Sequence, residues 1–179
     1  MGNDTQSACS GGGGYMCYWG APWSVSDTLS FGFAAHNGVA CGTCYQLQFT
    51  GKGHYGADPG STAINSKTMI VQIINIGGID SNQFDLLIPG GGVGANNACT
   101  SGSSQWSGAD IGAQSGGILT TCNRDKSCVD QKCKAAFGDK PLLLAGCSWF
   151  SGWFNDADNP EVVYQKITCP SEITEKSGF

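Results

Sequence analysis

From residue 44 to residue 50 the side chains alternate, Tyr45, Leu47 and Phe49 against Gln46 and Gln48. A period of two places the rings and the amides on opposite faces of a strand. Residues 67–76 are rich in β-branched side chains and predict a second strand; residues 84–88 predict a third, stopped by Pro89 and a run of glycines; residues 162–168 predict a fourth. Between residues 25 and 35 the apolar positions Val25, Leu29, Phe31, Phe33 and Ala34 predict a short helix with Ser24 or Ser26 as its N-cap. Trp149, Phe150, Trp153 and Phe154 fall at a spacing that suits one or two helical turns with an apolar face. Residues 2–20 and 89–121 are rich in Gly, Ser and Asn and read as long loops, the second of a length that usually carries function. No repeat and no linker interrupts the chain, so residues 1–179 are expected to form one mainly β domain with few short helices.

Composition narrows the classes. Hydrophobic residues make up 40% and charged residues 13%, too much apolar material for a disordered chain. Nine Lys and Arg against fourteen Asp and Glu give a net charge of −5, and Arg124 is the single arginine. Such a chain lacks the basic face that nucleic acid requires. No apolar run approaches the ~20 residues of a bilayer-spanning helix, so no membrane partner is expected. Ten cysteines point to disulfides and to an oxidising, extracellular setting. The opening Met1-Gly2-Asn3-Asp4 has neither a basic n-region nor an apolar h-region, so this start is expected to belong to a fragment.

Three motifs invite chemistry that the surrounding residues do not support. The string from Gly90 to Ala95 fits a dinucleotide fingerprint formally, but Asn96, Asn97 and Cys99 follow it without helical periodicity. Cys41 and Cys44 form a C-x2-C pair, yet Cys122, Cys128 and Cys133 have the wrong spacing for a second zinc knuckle, so no metal and no cofactor are expected. His36 and His54 lie in polar stretches and read as solvated surface residues, which leaves no nucleophile–histidine pair. The carboxylates are better placed. Asp80 and Asp85 flank Ser81-Asn82-Gln83-Phe84 where a strand begins. If Phe84 points into the core, Asp85 leaves the opposite face, and its apolar neighbours Phe84, Leu86 and Leu87 predict a desolvated, raised carboxyl suited to a general acid. The plain alternative is that either Asp forms an ordinary turn.

Four motifs in order, PWSVSDTLSFGFAA, CGTCYQLQFTGKG, GGIDSNQFDLLIPGGGVG and WFNDADNPEVVYQKITCP, resemble family 45 glycoside hydrolases from about residue 9 to residue 178. The resemblance implies a six-stranded double-psi β-barrel and a secreted, monomeric endo-β-1,4-glucanase that cleaves cellulose or soluble β-glucan with inversion. It assigns Asp85 as the general acid and Asp80 as an assisting carboxylate in a loop one residue shorter than in relatives. The family base lies in an N-terminal strand reading like TRYWDCCKPSC, absent from this sequence, so the chain is expected either to begin after that strand or to use another base. By the same resemblance Cys44 pairs with Cys169 and Cys122 with Cys147, Cys128 bridges Cys133 locally, and Cys9, Cys17, Cys41 and Cys99 lose their partners or pair anew. Asn82, Gln83, Trp19, Trp106 and Gly91 are the expected sugar contacts, with Tyr18 and Trp23 as further aromatics. Ser115 stands where relatives carry a groove-lining aromatic. Two rivals remain: a non-hydrolytic expansin-like wall-loosening protein, and a carbohydrate-binding module.

Overall fold

The computed structural model describes residues 7–11, 20–94 and 110–179. After a 3-10 turn at Ala8–Ser10 come β1 (Trp23–Ser24), β2 (Leu29–His36), β3 (Cys44–Gly53), α1 (Pro59–Ala63), β4 (Thr68–Ile76), β5 (Asp85–Leu86), α2 (Gly117–Thr121), α3 (Lys126–Phe137), α4 (Pro141–Ser151), β6 (Pro160–Ile167) and α5 (Ser171–Ser177). The strands form one sheet in the order β1-β2-β4-β3-β6, with β5 branching from β2. β2 and β4 run parallel, with a register shift between Ala34 and Ala35; the other pairings are antiparallel. Among the described residues no pairing joins β6 to β1 or β5, so the sheet is open rather than closed into a barrel.

The strands predicted at residues 44–50, 67–76, 84–88 and 162–168 are β3, β4, β5 and β6. The helix predicted at residues 25–35 is instead the β1–β2 hairpin. β2 has neighbours on both sides and is buried from Ser30 to His36, so its sequence lacks the alternation of a half-exposed strand. Ser26 caps a turn, not a helix: its hydroxyl accepts the amides of Thr28 and Leu29 at 3.3 and 3.0 Å.

Leu47, Phe49, Val71 and Ile73 meet Ile118 and the inner faces of α3 and α4 in the larger core, whereas Phe31, Phe33, Cys44 and Ile74 enclose Ile173 of α5 in the second. Cys44 is bonded to Cys169, which ties the start of β3 to the segment leading into α5. The remaining described bridges differ from the family-based pairing: Cys9 is joined to Cys41, Cys122 to Cys128 and Cys133 to Cys147. Cys128 and Cys133 both lie on α3, five residues apart and therefore about 140° around the helix, which forbids a bond between them. Cys133 faces α4 across a Cα–Cα distance of 5.6 Å to Cys147, and the turn after α2 brings Cys122 within 5.5 Å of Cys128. Cys9 and Cys41 thus have partners, each other; Cys17 and Cys99 lie outside the described residues.

Candidate active site

The chain around Asp85 is built on the end of β2. Asp85 is paired with Ala35 and Leu86 with Ala34, while the Leu87 amide donates to the Phe33 carbonyl at 3.0 Å. One residue earlier, Phe84 is half-buried, its ring centroid 4.5 Å from His36, 5.2 Å from Tyr45 and 5.0 Å from Tyr164. A strand that turns one side chain inward turns the next outward, so seating Phe84 exposes Asp85. Its apolar neighbours do not cover it. Leu86 and Leu87 pack against the two cores instead, and the desolvation expected for this carboxyl is absent because the carboxyl projects from the sheet edge into solvent.

Gln83 Nε2 donates to Asp85 Oδ1 at 2.9 Å. One carboxyl oxygen is therefore engaged by a neutral amide, and no described group holds the other. The Gln83 amide donates to the Asp80 carbonyl at 3.0 Å, closing the turn that carries Asp80, Asn82 and Gln83, all exposed. Asn37 Nδ2 anchors that turn through the Ile79 carbonyl at 3.0 Å. Asp80 and Asp85 thus leave one short surface segment, the first from a turn and the second from a strand.

Beyond β5 the chain enters the glycine run. No helix starts there: residues 90–94 are turn and bridge, pinned to the segment 112–118 by the Ile118 amide on the Gly90 carbonyl at 2.8 Å and the Val93 amide on the Gln114 carbonyl at 3.0 Å. The backbones come so close that a Cβ on Gly117, at φ 55°, would stand 2.0 Å from the Gly90 carbonyl oxygen. At Gly117 the close approach of the two backbones therefore requires glycine. Gly91 is half-buried in this wall and Ser115 is exposed opposite Gly92.

Of the aromatics proposed for sugar stacking, Trp19, Trp106 and Tyr18 lie outside the described residues. Trp23 packs edge-on against Phe31 and beneath the Lys176 ammonium, 3.7 Å above its ring, as part of the second core. His36, expected at the surface, is 3% exposed. The sequence hides this because Asn37 and Gly38 follow it, although its place at the end of a wholly buried strand gives it away once β2 is recognised. The sulfurs of Cys41 and Cys44 are consumed in bridges to Cys9 and Cys169.

An exposed acid at a sheet edge, one oxygen held by an amide and the other without a partner among the described residues, near a second acid in the preceding turn, can hand a proton to a ligand lying along the surface. The model of glycosyl hydrolase family 45 matches residues 1–179, and the chain belongs to that family. It is 50% identical to Endoglucanase B of Cellvibrio japonicus (strain Ueda107) over 190 residues, 97% of this chain and 37% of that protein. It is 36% identical to an endoglucanase of Cryptopygus antarcticus over 186 residues, 98% of this chain and 70% of that protein. The crystal structure of a cellulase from the Antarctic springtail Cryptopygus antarcticus superimposes with a TM-score of 0.67 at 35% identity, covering 98% of this chain and 76% of that one.

Proposed function

We propose that the chain is an endo-β-1,4-glucanase that hydrolyses internal bonds of cellulose or soluble β-glucan with inversion, acting outside the cell as a monomer. The observation that carries this reading is the placement of Asp85: an exposed carboxyl raised from a paired strand, inside the motif NQFDLLIPGGGVG of a glycoside hydrolase family.

Asp85 is the general acid. As the bond between the anomeric carbon and the bridging oxygen breaks, its carboxyl proton passes to that oxygen and the leaving sugar departs as an alcohol. Gln83 Nε2, on Oδ1, then stabilises the carboxylate that forms. Asp80, in the preceding turn, is the assisting carboxylate, and Asn82 and Gly91 flank the path of the glucan. Inversion requires water to attack the anomeric carbon from the opposite face while a base roughly 6.5–9.5 Å from the acid takes its proton; the strand that bears this base in the resembling family is absent from this sequence, and no described carboxylate is assigned the role. The net charge of −5 suits a neutral polysaccharide and disfavours polyanions. The four described disulfides suit an oxidising compartment.

Anomer-resolved NMR on the 179-residue chain with a soluble β-1,4-glucan tests the reading. New reducing ends are expected first as the α-anomer, equilibrating later to the mixture. First appearance of the β-anomer contradicts inversion, and no reducing ends at all contradicts hydrolysis and returns the chain to a wall-loosening or binding role.

A further inference from the structure

The last two residues of β2 and the residue after it hold the acid-bearing segment at three points. Ala35 is the strand partner of Asp85. The His36 ring lies parallel to Tyr45 with centroids 5.6 Å apart and an interplanar angle of 7°, and it meets Phe84 edge-on at 4.5 Å. Asn37 anchors Ile79, the residue before Asp80.

The imidazole is held by more than packing. Its Nδ1 lies 2.6 Å from the Asn37 carbonyl oxygen. A carbonyl oxygen only accepts, so Nδ1 carries the hydrogen and, in the neutral ring, Nε2 presents a lone pair. Nε2 is buried and has no hydrogen-bond partner among the described residues. Such an orphan is unfavourable, and a phenyl ring of similar shape would remove it. Stability alone therefore does not favour histidine at this position. What histidine adds over phenylalanine is the Nδ1–H link, which joins the ring beneath Phe84 to the residue that holds Ile79.

We infer that His36 is a positioning residue for the Asp85 carboxyl, acting through Phe84 on one side and through Asn37 on the other. It touches no substrate. Its kinetic consequence rests on the glucanase reading, whereas its structural consequence does not, and the two are measured separately.

In the 179-residue chain, His36→Phe keeps a ring and removes both the link and the orphan nitrogen. The expected result is a thermal midpoint equal to or above that of the parent, together with amide hydrogen exchange at Gln83 and Leu87 faster by about tenfold. On soluble β-glucan, kcat is expected to fall on the order of 10-fold with KM within about twofold, since small misplacements of a reacting group are costly. Asn37→Ala, at an exposed position that leaves the core intact, is expected to quicken exchange at Gln83 as well, and it supplies the test should the first variant fail to fold. Parent-like exchange in whichever variant folds overturns the inference, as does a parent-like kcat in a hydrolytically active chain. If the parent releases no sugar, the glucanase reading fails and the exchange rates decide the positioning role alone.

Discussion

Asp85 owes its exposure to Phe84, and Phe84 owes its seat to three rings from three other strands. Away from that segment, the most heavily bonded carboxyl described is Asp58, which caps α1. It accepts the Ser61 amide at 2.7 Å and the Ser61 hydroxyl at 2.6 Å, the Asp158 amide at 3.1 Å and Arg124 Nη1 at 2.9 Å. Burial alone would push this carboxyl up; the Ser61 hydroxyl, the two amides and the Arg124 guanidinium together hold it below its ordinary value. A depressed acid contributes stability that is complete above its unfolded value and is lost as pH falls through its folded value. The thermal midpoint is therefore expected to decline as pH drops below about 4. Asp58→Asn should lower the midpoint at neutral pH, by a loss of about 1–3 kcal/mol, and flatten the acid slope. Parallel acid slopes in parent and variant would show that Asp58 does not govern it. At this scale the sequence discloses the outward direction of Asp85, because a strand bounded by a glycine run makes its neighbour's direction readable. It does not disclose His36 or Asp58, whose burial depends on elements more than eight residues away in sequence.

Local pattern reveals elements where one face is wet. β3 alternates and was readable; β2 is covered on both faces and mimics a helix. Of the pair α3–α4, only the end of α4 at Trp149 and Phe150 falls in a predicted helical turn. Val129, Cys133, Ala136 and Phe137 form a single buried stripe at helical spacing, but α3 is not among the elements the sequence pattern predicts, since charged and polar side chains stand between the stripe residues. Asp125 caps α3 by accepting the Cys128 amide at 2.8 Å, and Pro141 opens α4, signals that mark both helix starts once the stripe is seen. The bridge between Cys133 and Cys147 closes 14 residues across this pair. Replacing both cysteines by serine is expected to cost about 3 kcal/mol in denaturant unfolding, from the chain entropy returned to the unfolded state. An unchanged midpoint would mean that packing between α3 and α4 already fixes the pair without the bond.

Across the whole molecule, the sheet supplies a rigid frame and the acid sits at its branch. β5 is two residues long, yet it is attached to β2, which is itself clamped between β1 and β4, so the site is positioned by the best-buried strand in the domain. The cysteine count already pointed to a cross-linked chain; pairing partners emerged only with the fold, because a bond needs two Cα atoms within about 7 Å and spacing in sequence cannot supply that. The chain spans 37% of the length of the Cellvibrio japonicus relative and 70% of that of the Cryptopygus antarcticus relative, so the activity of the domain has to be read on the domain itself.

That makes one substitution decisive. Asp85→Asn keeps the size of the side chain at an exposed position and removes the proton that the proposed mechanism transfers to the glycosidic oxygen. Reducing-end release from soluble β-1,4-glucan by parent and variant, at matched thermal midpoints, is the measurement. Hydrolysis by the parent and a loss on the order of 10²–10⁴-fold in kcat for the variant is the predicted result. A variant that cleaves as fast as the parent would remove Asp85 from the chemistry and the glucanase account with it.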